Sequence, residues 1–381
     1  MTLPRALTVV AIGAAVWFLS AHAQAAILPP MEAGQTTGVD ATFRTVQFTS
    51  PFPQAPLVFY LLDDANDFGS GIRVRNVTTH GFEMAQLEAP NIKNGNSAAY
   101  DGDTPPDTVH WLAIEPGVHN IGPMKVMAGS VMTTRTRKKG GGDQFETIDL
   151  SAAGFTNAPA VMTAVNTYNN NSAGSDDYPA WIQSMARDAN LSATGTQIAL
   201  EIAEAFGTEG SVSVAPVTED EKLAYLAFDV GPGSLSKSLN DTFTDVGGNT
   251  IEFAAVFQTN NINGEANEGA NGQIVNFGTT FSTSDAQVVA VGSHASDNGD
   301  DGGWLRQKYL TTSQIGVYLQ EDQFQDSELA HGSTERGVIL AFSQPFTTIV
   351  IPEPSTLVVW SLLAGLGIAV RWKKTRRSER A

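Results

Sequence analysis

The sequence predicts an all-β protein: three tandem antiparallel β-sandwich repeats between an N-terminal export signal and a C-terminal membrane-seeking helix. Three observations predict it. Short apolar–polar alternations recur, separated by Gly, Asn and Asp clusters, as expected for half-buried strands and their turns. An apolar pattern centred on alanine returns twice at an equal interval. Charged residues are only 16% of 381, against about 25% in a typical soluble domain, which argues against long solvated helices.

The first element is residues 1–25. Arg5 precedes an apolar run over residues 6–19, broken only by Thr8. Ala21-His22-Ala23 and Ala23-Gln24-Ala25 are small-x-small cleavage sites. The run is too short to span a bilayer, so a cleaved signal peptide is expected.

The repeats follow, expected over residues 31–117, 118–232 and 233–350. Their closing strands read His110-Trp111-Leu112-Ala113-Ile114, Ala224-Tyr225-Leu226-Ala227-Phe228 and Val338-Ile339-Leu340-Ala341-Phe342, with the central alanines 114 residues apart each time. Phe52-Pro53-Gln54-Ala55-Pro56-Leu57-Val58 matches Phe155-Thr156-Asn157-Ala158-Pro159-Ala160-Val161, and Glu32-Ala33-Gly34 matches Met127-Ala128-Gly129. Mid-repeat alternations run Phe82, Met84, Gln86, Glu88; Ile198, Leu200, Ile202, Glu204; and Ile315, Val317, Leu319, Glu321. They predict strands with one wet face. Glu115-Pro116-Gly117 and Gly231-Pro232-Gly233 punctuate the boundaries, and residues 260–272 read as a surface loop.

The last element is residues 351–381. Pro352-Glu353-Pro354-Ser355-Thr356 precedes an apolar run over 357–370 and then Arg371-Trp372-Lys373-Lys374-Thr375-Arg376-Arg377. A short transmembrane helix is expected, with its basic end held inside the cell.

Charge and composition limit the function. The middle of the chain, residues 27–350, carries 15 bases against 38 acids, net −23. That surface repels phosphate backbones, so no nucleic-acid partner is expected. With no cysteine, disulfides, thiolate metal sites and Cys nucleophiles are excluded. No Gly-x-Ser-x-Gly elbow, His-Glu-x-x-His pair or phosphate loop is present, so no enzyme is expected.

Two sets of residues carry candidate binding chemistry. Oxygen-rich loops recur at Asp63-Asp64-Ala65-Asn66-Asp67, at Asn169-Asn170-Asn171 with Asp176-Asp177, and at Asp297-Asn298-Gly299-Asp300-Asp301-Gly302. Asp297, Asn298, Asp300 and Asp301 are the best calcium ligands among them, the alternative being a solvated turn. No cofactor is required. The recurrent Glu88, Glu204 and Glu321 offer carboxylates to sugar hydroxyls, and Trp181 or Trp304 a stacking face. The alternative is charge that blocks strand-to-strand aggregation.

The C-terminal tail resembles the PEP-CTERM sorting signal of Gram-negative bacteria. That resemblance implies export, a transient inner-membrane anchor, cleavage by an exosortase near Pro352, Glu353 and Pro354, and release to the cell surface or extracellular polysaccharide matrix. The first repeat is similar to the H-type lectins through Val46-Gln47-Phe48, Pro51-Phe52, Pro56-Leu57-Val58, Ile72-Arg73-Val74, Val77-Thr78-Thr79-His80-Gly81-Phe82 and Val109 to Glu115. Those are six-stranded, usually trimeric sugar-binding sandwiches. The resemblance implies a glycan or polysaccharide partner, a homo-oligomer such as a trimer, and a ligand role for Arg73 with Arg75. It departs at Ala89 and Pro90, where some members carry an aromatic and a His. The alternative is a non-catalytic structural or adhesion protein of the matrix, with a polysaccharide hydrolase behind it.

Overall fold

A computed structural model describes residues 28–63, 69–90, 105–140, 142–171, 178–209, 212–230, 237–258, 261–264, 272–295, 302–325 and 331–349. The expected signal peptide, most of the 260–272 loop, residues 297–301 and the sorting tail lie outside them. Among the described residues there is no α-helix, and no helix long and apolar enough to cross a membrane.

The strands fall into three successive groups. The first is β1 (Met31–Val39), β2 (Arg44–Gln47), β3 (Leu57–Leu62), β4 (Ser70–Arg75), β5 (Gly81–Glu88) and β6 (Asp107–Ile114). The second is β7 (Gly117–Ile121), β8 (Met124–Thr133), β9 (Thr136–Arg137), β10 (Glu146–Asp149), β11 (Ala160–Val165), β12 (Gln183–Arg187), β13 (Gly195–Glu201), β14 (Gly207–Glu209), β15 (Val212–Val214) and β16 (Glu221–Phe228). The third is β17 (Lys237–Thr244), β18 (Thr250–Phe257), β19 (Gln273–Asn276), β20 (Val289–His294), β21 (Trp304–Leu310), β22 (Gln314–Gln320), β23 (Gly337–Phe342) and β24 (Phe346–Thr347).

Three four-stranded sheets run β24-β1-β6-β3, β7-β8-β16-β11 and β17-β18-β23-β20. Their partners are β2-β5-β4, β10-β13-β12 with β9 alongside, and β19-β22-β21. Facing sheets enclose apolar cores: Val58, Val109 and Trp111 meet Ile72, Phe82 and Met84, and Ala290, Ile339 and Ala341 meet Leu305, Ile315 and Val317. Burial of such side chains is the main stabilising term. Val58 lies opposite Ala113, Val161 opposite Ala227 and Ala290 opposite Ala341, so the three closing strands share one register.

Local chemistry explains the sequence signatures. Pro56 and Pro159 stand just before β3 and β11, where a missing N–H breaks no ladder bond. Gly34 lies opposite Trp111 and Gly129 opposite Tyr225. A Cβ at either glycine would collide with the aromatic ring laid across it. Residues 199–206 have helix-forming composition, yet β13 pairs with β10 on one side and β12 on the other, and tertiary pairing overrides propensity.

The three sheet pairs pack around a common centre. Strands β3, β11 and β20 contact one another, and each also packs on a closing strand of the next pair: β3 on β16, β11 on β23, β20 on β6. Phe59, Met162 and Val291 enter one shared cluster. The arrangement closes on itself. In the second and third sheets the edge strands β7 and β17 are the hairpin neighbours of β8 and β18. The same place in the first sheet is taken by β24, from the far end of the chain, with Glu32 opposite Thr347 and Ala33 opposite Phe346. Thr348 ties this clasp: its Oγ1 donates to Pro29 O at 2.6 Å and accepts from Met31 N at 2.9 Å.

Candidate functional site

The packing of one pair on the next decides where the expected ligand residues sit. Arg73, on the outer face of β4 opposite to Ile72 and Val74, is 1% exposed because the second sheet pair covers it. Its Nη2 donates to Glu221 Oε1 and to Thr167 O, both at 3.0 Å, and its guanidinium lies 4.8 Å from the Tyr168 ring. Burial raises the pKa of Glu221, but the Arg73 charge and hydrogen bonds from Thr167 and Asn170 outweigh it, and the carboxylate is held below its ordinary value. Arg75 differs. Its Nε donates to Glu83 at 2.7 Å, its guanidinium covers the Phe43 ring, and its side chain is 37% exposed.

Glu88 is buried at the end of β5. Glu204 is fully buried, in an ion pair with Lys139, and accepts from Gln325 N at 3.2 Å. Glu321 is fully buried 2.5 Å from His331 Nδ1. Trp181 and Trp304 are buried edge to face, with centroids 5.3 Å apart. Of the seven residues expected to meet sugar, only Arg75 keeps appreciable exposure. The other six fill contacts between or within sheet pairs, so as placed they cannot meet a glycan at the surface. Period 2 marks the pleat of a strand; it does not mark what packs on its outer face.

The structure instead gathers charge where pairs meet. Arg137 Nη1 lies 3.4 Å from Glu201 Oε2, both buried. His331 Nε2 lies 3.4 Å from Glu335 Oε1. Glu204 N donates to Asp322 Oδ2 at 3.1 Å. Burial pushes Glu201 up to about 7 and Asp322 well above the carboxylate range, and pulls His294 down to about 4. Sequence reasoning placed His331 near Glu321 but missed Glu201 and Glu335; the 114-residue spacing of Asp107, Glu221 and Glu335 was the available signal for the last. Among the described residues no group of three or more His, Asp or Glu is disposed to hold a metal ion, and the calcium candidates at 297–301 lie outside those residues.

Open surface remains at the junction of the first and third pairs. A groove of about 520 Å³ runs beside the clasp, lined by Glu32, Gln35, Thr49, Trp111, Asp245 and Gln287 among others. A second, of about 360 Å³, shares Gln35, Thr37 and Ala286 with it and adds Asp285, Lys308 and Tyr309. Carboxylates, amides and hydroxyls line both grooves alongside apolar groups such as Pro345, Phe346 and Leu310.

Comparison with known proteins finds no matching family model, no matching curated protein and no matching solved structure.

Proposed function

We propose that the chain is an exported, surface- or matrix-associated carbohydrate-binding protein of three tandem H-type-lectin-like sandwiches, without catalytic activity. The observation that carries the reading is the pair of adjoining grooves at the first and third sheet pairs. Their amides, hydroxyls and carboxylates suit the hydroxyls of an extended glycan, and their openness suits a polymer rather than an enclosed small molecule. In this reading the signal peptide exports the chain, and an exosortase cuts at Pro352, Glu353 and Pro354 after a transient stay in the inner membrane. Calcium on Asp297, Asn298, Asp300 and Asp301 belongs to the same proposal.

A glycan array on the mature region, with and without calcium, tests it. Binding should fall at least tenfold in Thr37→Ala with Gln287→Ala, two exposed groove residues, while the melting temperature changes little. A mature region that is folded yet binds no glycan would leave a structural or adhesion role in the matrix. One observation favours that second reading: the recurrent acids and tryptophans serve internal packing.

A further inference from the structure

The three junctions between sheet pairs are built on one plan, and one of them departs from it. Asp107, Glu221 and Glu335 each stand six residues before the central alanine of a closing strand, and none is more than 2% exposed. At two junctions an arginine from the neighbouring pair meets this acid. Arg73 of the first pair reaches Glu221 of the second at 3.0 Å, and Arg306 of the third reaches Asp107 of the first at 3.8 Å. The two arginines hold the same place, opposite Ala85 and Tyr318, three residues before Glu88 and Glu321.

At the junction of the second and third pairs that place, opposite Glu201, is Gln183. The acid there, Glu335, has His331 of its own sheet pair beside it, and the guanidinium that the second pair brings to this junction, Arg137, lies on Glu201. A guanidinium stays charged at any ordinary pH; an imidazole does not.

We propose that the junction between the second and third sheet pairs is a pH-operated seam, closed while His331 carries a proton between Glu321 and Glu335 and loosened when that proton is lost. The groups around His331 are Glu321 on one ring nitrogen and Glu335 facing the other, with Glu201 and His294 within its field and Arg137 acting on both of these. Beside them lie Glu204, Asp322 and Lys139. At the rim, Arg336 and Asp188 pair at 2.7 Å across the same junction.

The electrostatics run in one direction. Burial alone would lower the pKa of His331, but the hydrogen bond to Glu321 and the nearby charges of Glu321 and Glu335 reverse this and raise it to about 9. A histidine raised above its ordinary 6.5 stabilises the fold fully below that value and loses its contribution as pH rises through about 9. Glu201, raised to about 7 by burial, ionises at growing cost over the interval from 4.5 upward. Proton loss at either group therefore leaves surplus buried negative charge at this junction, while Arg73 and Arg306 keep theirs.

Hydrogen exchange of the whole chain at pH 6.5 and pH 9.5, corrected for the intrinsic rate, tests the seam. Protection should fall at least tenfold at pH 9.5 in peptides covering β12, residues 201–206, 320–325 and 331–336. It should hold in β4, β16 and the start of β6. His331→Gln should exchange fast in the same peptides at both pH values. Equal loss at all three junctions, no loss anywhere, or a pH response in His331→Gln as large as that of the wild type would overturn the proposal. If that variant does not fold, the wild-type exchange map still decides, together with the NMR titration of the His331 ring. A midpoint at or below 6.5 would count against the seam.

Discussion

Arg73 and Glu221, 148 residues apart in sequence, form an ion pair of 3.0 Å in which neither side chain is more than 1% exposed. The pair joins β4 of the first sheet pair to the start of β16 in the second. Removing one partner strands the other charge in a dry interface, where the desolvation cost is no longer offset. Arg73→Ala should destabilise the chain by about 3–5 kcal/mol, and Glu221→Gln by less, because Thr167 and Asn170 still bond the amide. Arg73→Met with Glu221→Leu should recover part of the loss. Denaturant unfolding of the singles and the double checks this; losses that simply add would show that the two residues act independently.

The clasp of β24 on β1 gives a second expectation. Phe346 is 5% exposed and packs edge to face on Phe243 and Phe342, with centroids 4.9 and 4.8 Å away. Phe346→Ala opens a cavity among those rings and should cost about 3–5 kcal/mol. Thr348→Val keeps the shape but leaves Met31 N and Pro29 O without its hydroxyl, and should cost about 1–3 kcal/mol. In both variants exchange should quicken first in β1, the strand whose edge the clasp covers. Quickening confined to β17 and β18 would place the weak point in the third pair instead.

These elements also mark how far the sequence could be read. Alternation and turn residues located the antiparallel strands, and the spacing of Ala113, Ala227 and Ala341 pointed to strands of one register. What lay outside local pattern was contact between distant strands. Ala85, Glu201 and Tyr318 occupy the supposedly wet faces of β5, β13 and β22, yet each is no more than 1% exposed because a neighbouring sheet pair covers it. Arg73 drew attention as a ligand through the resemblance of the first repeat to the H-type lectins; local pattern gave no sign of its partner, 148 residues away. The pairing of Ala33 with Phe346 has no local signature at all, since a two-residue strand carries no period.

Processing offers a test independent of the fold. Replacing Pro352 and Pro354 with Ala should leave the precursor in the membrane fraction, because the apolar run at 357–370 and its basic flank are unchanged while the proposed exosortase motif is lost. Release of the variant at the normal mature mass would sink the sorting assignment.

His110 supplies an acid-side prediction opposite in sign to that of His331. It lies on β6, is 4% exposed, and its Nδ1 accepts from Ala290 N of β20 at 3.2 Å, bonding the first sheet pair to the third. An acceptor Nδ1 requires the neutral ring, and burial pulls the pKa down to about 4. The depressed value means that the unfolded chain takes up the proton first. Stability from this group is therefore complete above about 6.5 and drains away as pH falls through about 4. The difference between those two values corresponds to at most about 3 kcal/mol at the acid end. His110→Gln offers a carbonyl oxygen to Ala290 N and cannot protonate. It should start slightly less stable at pH 7 and lose less stability between pH 6.5 and pH 4 than the parent chain. Parallel melting curves for the two proteins over that interval would show that the acid response arises at other groups.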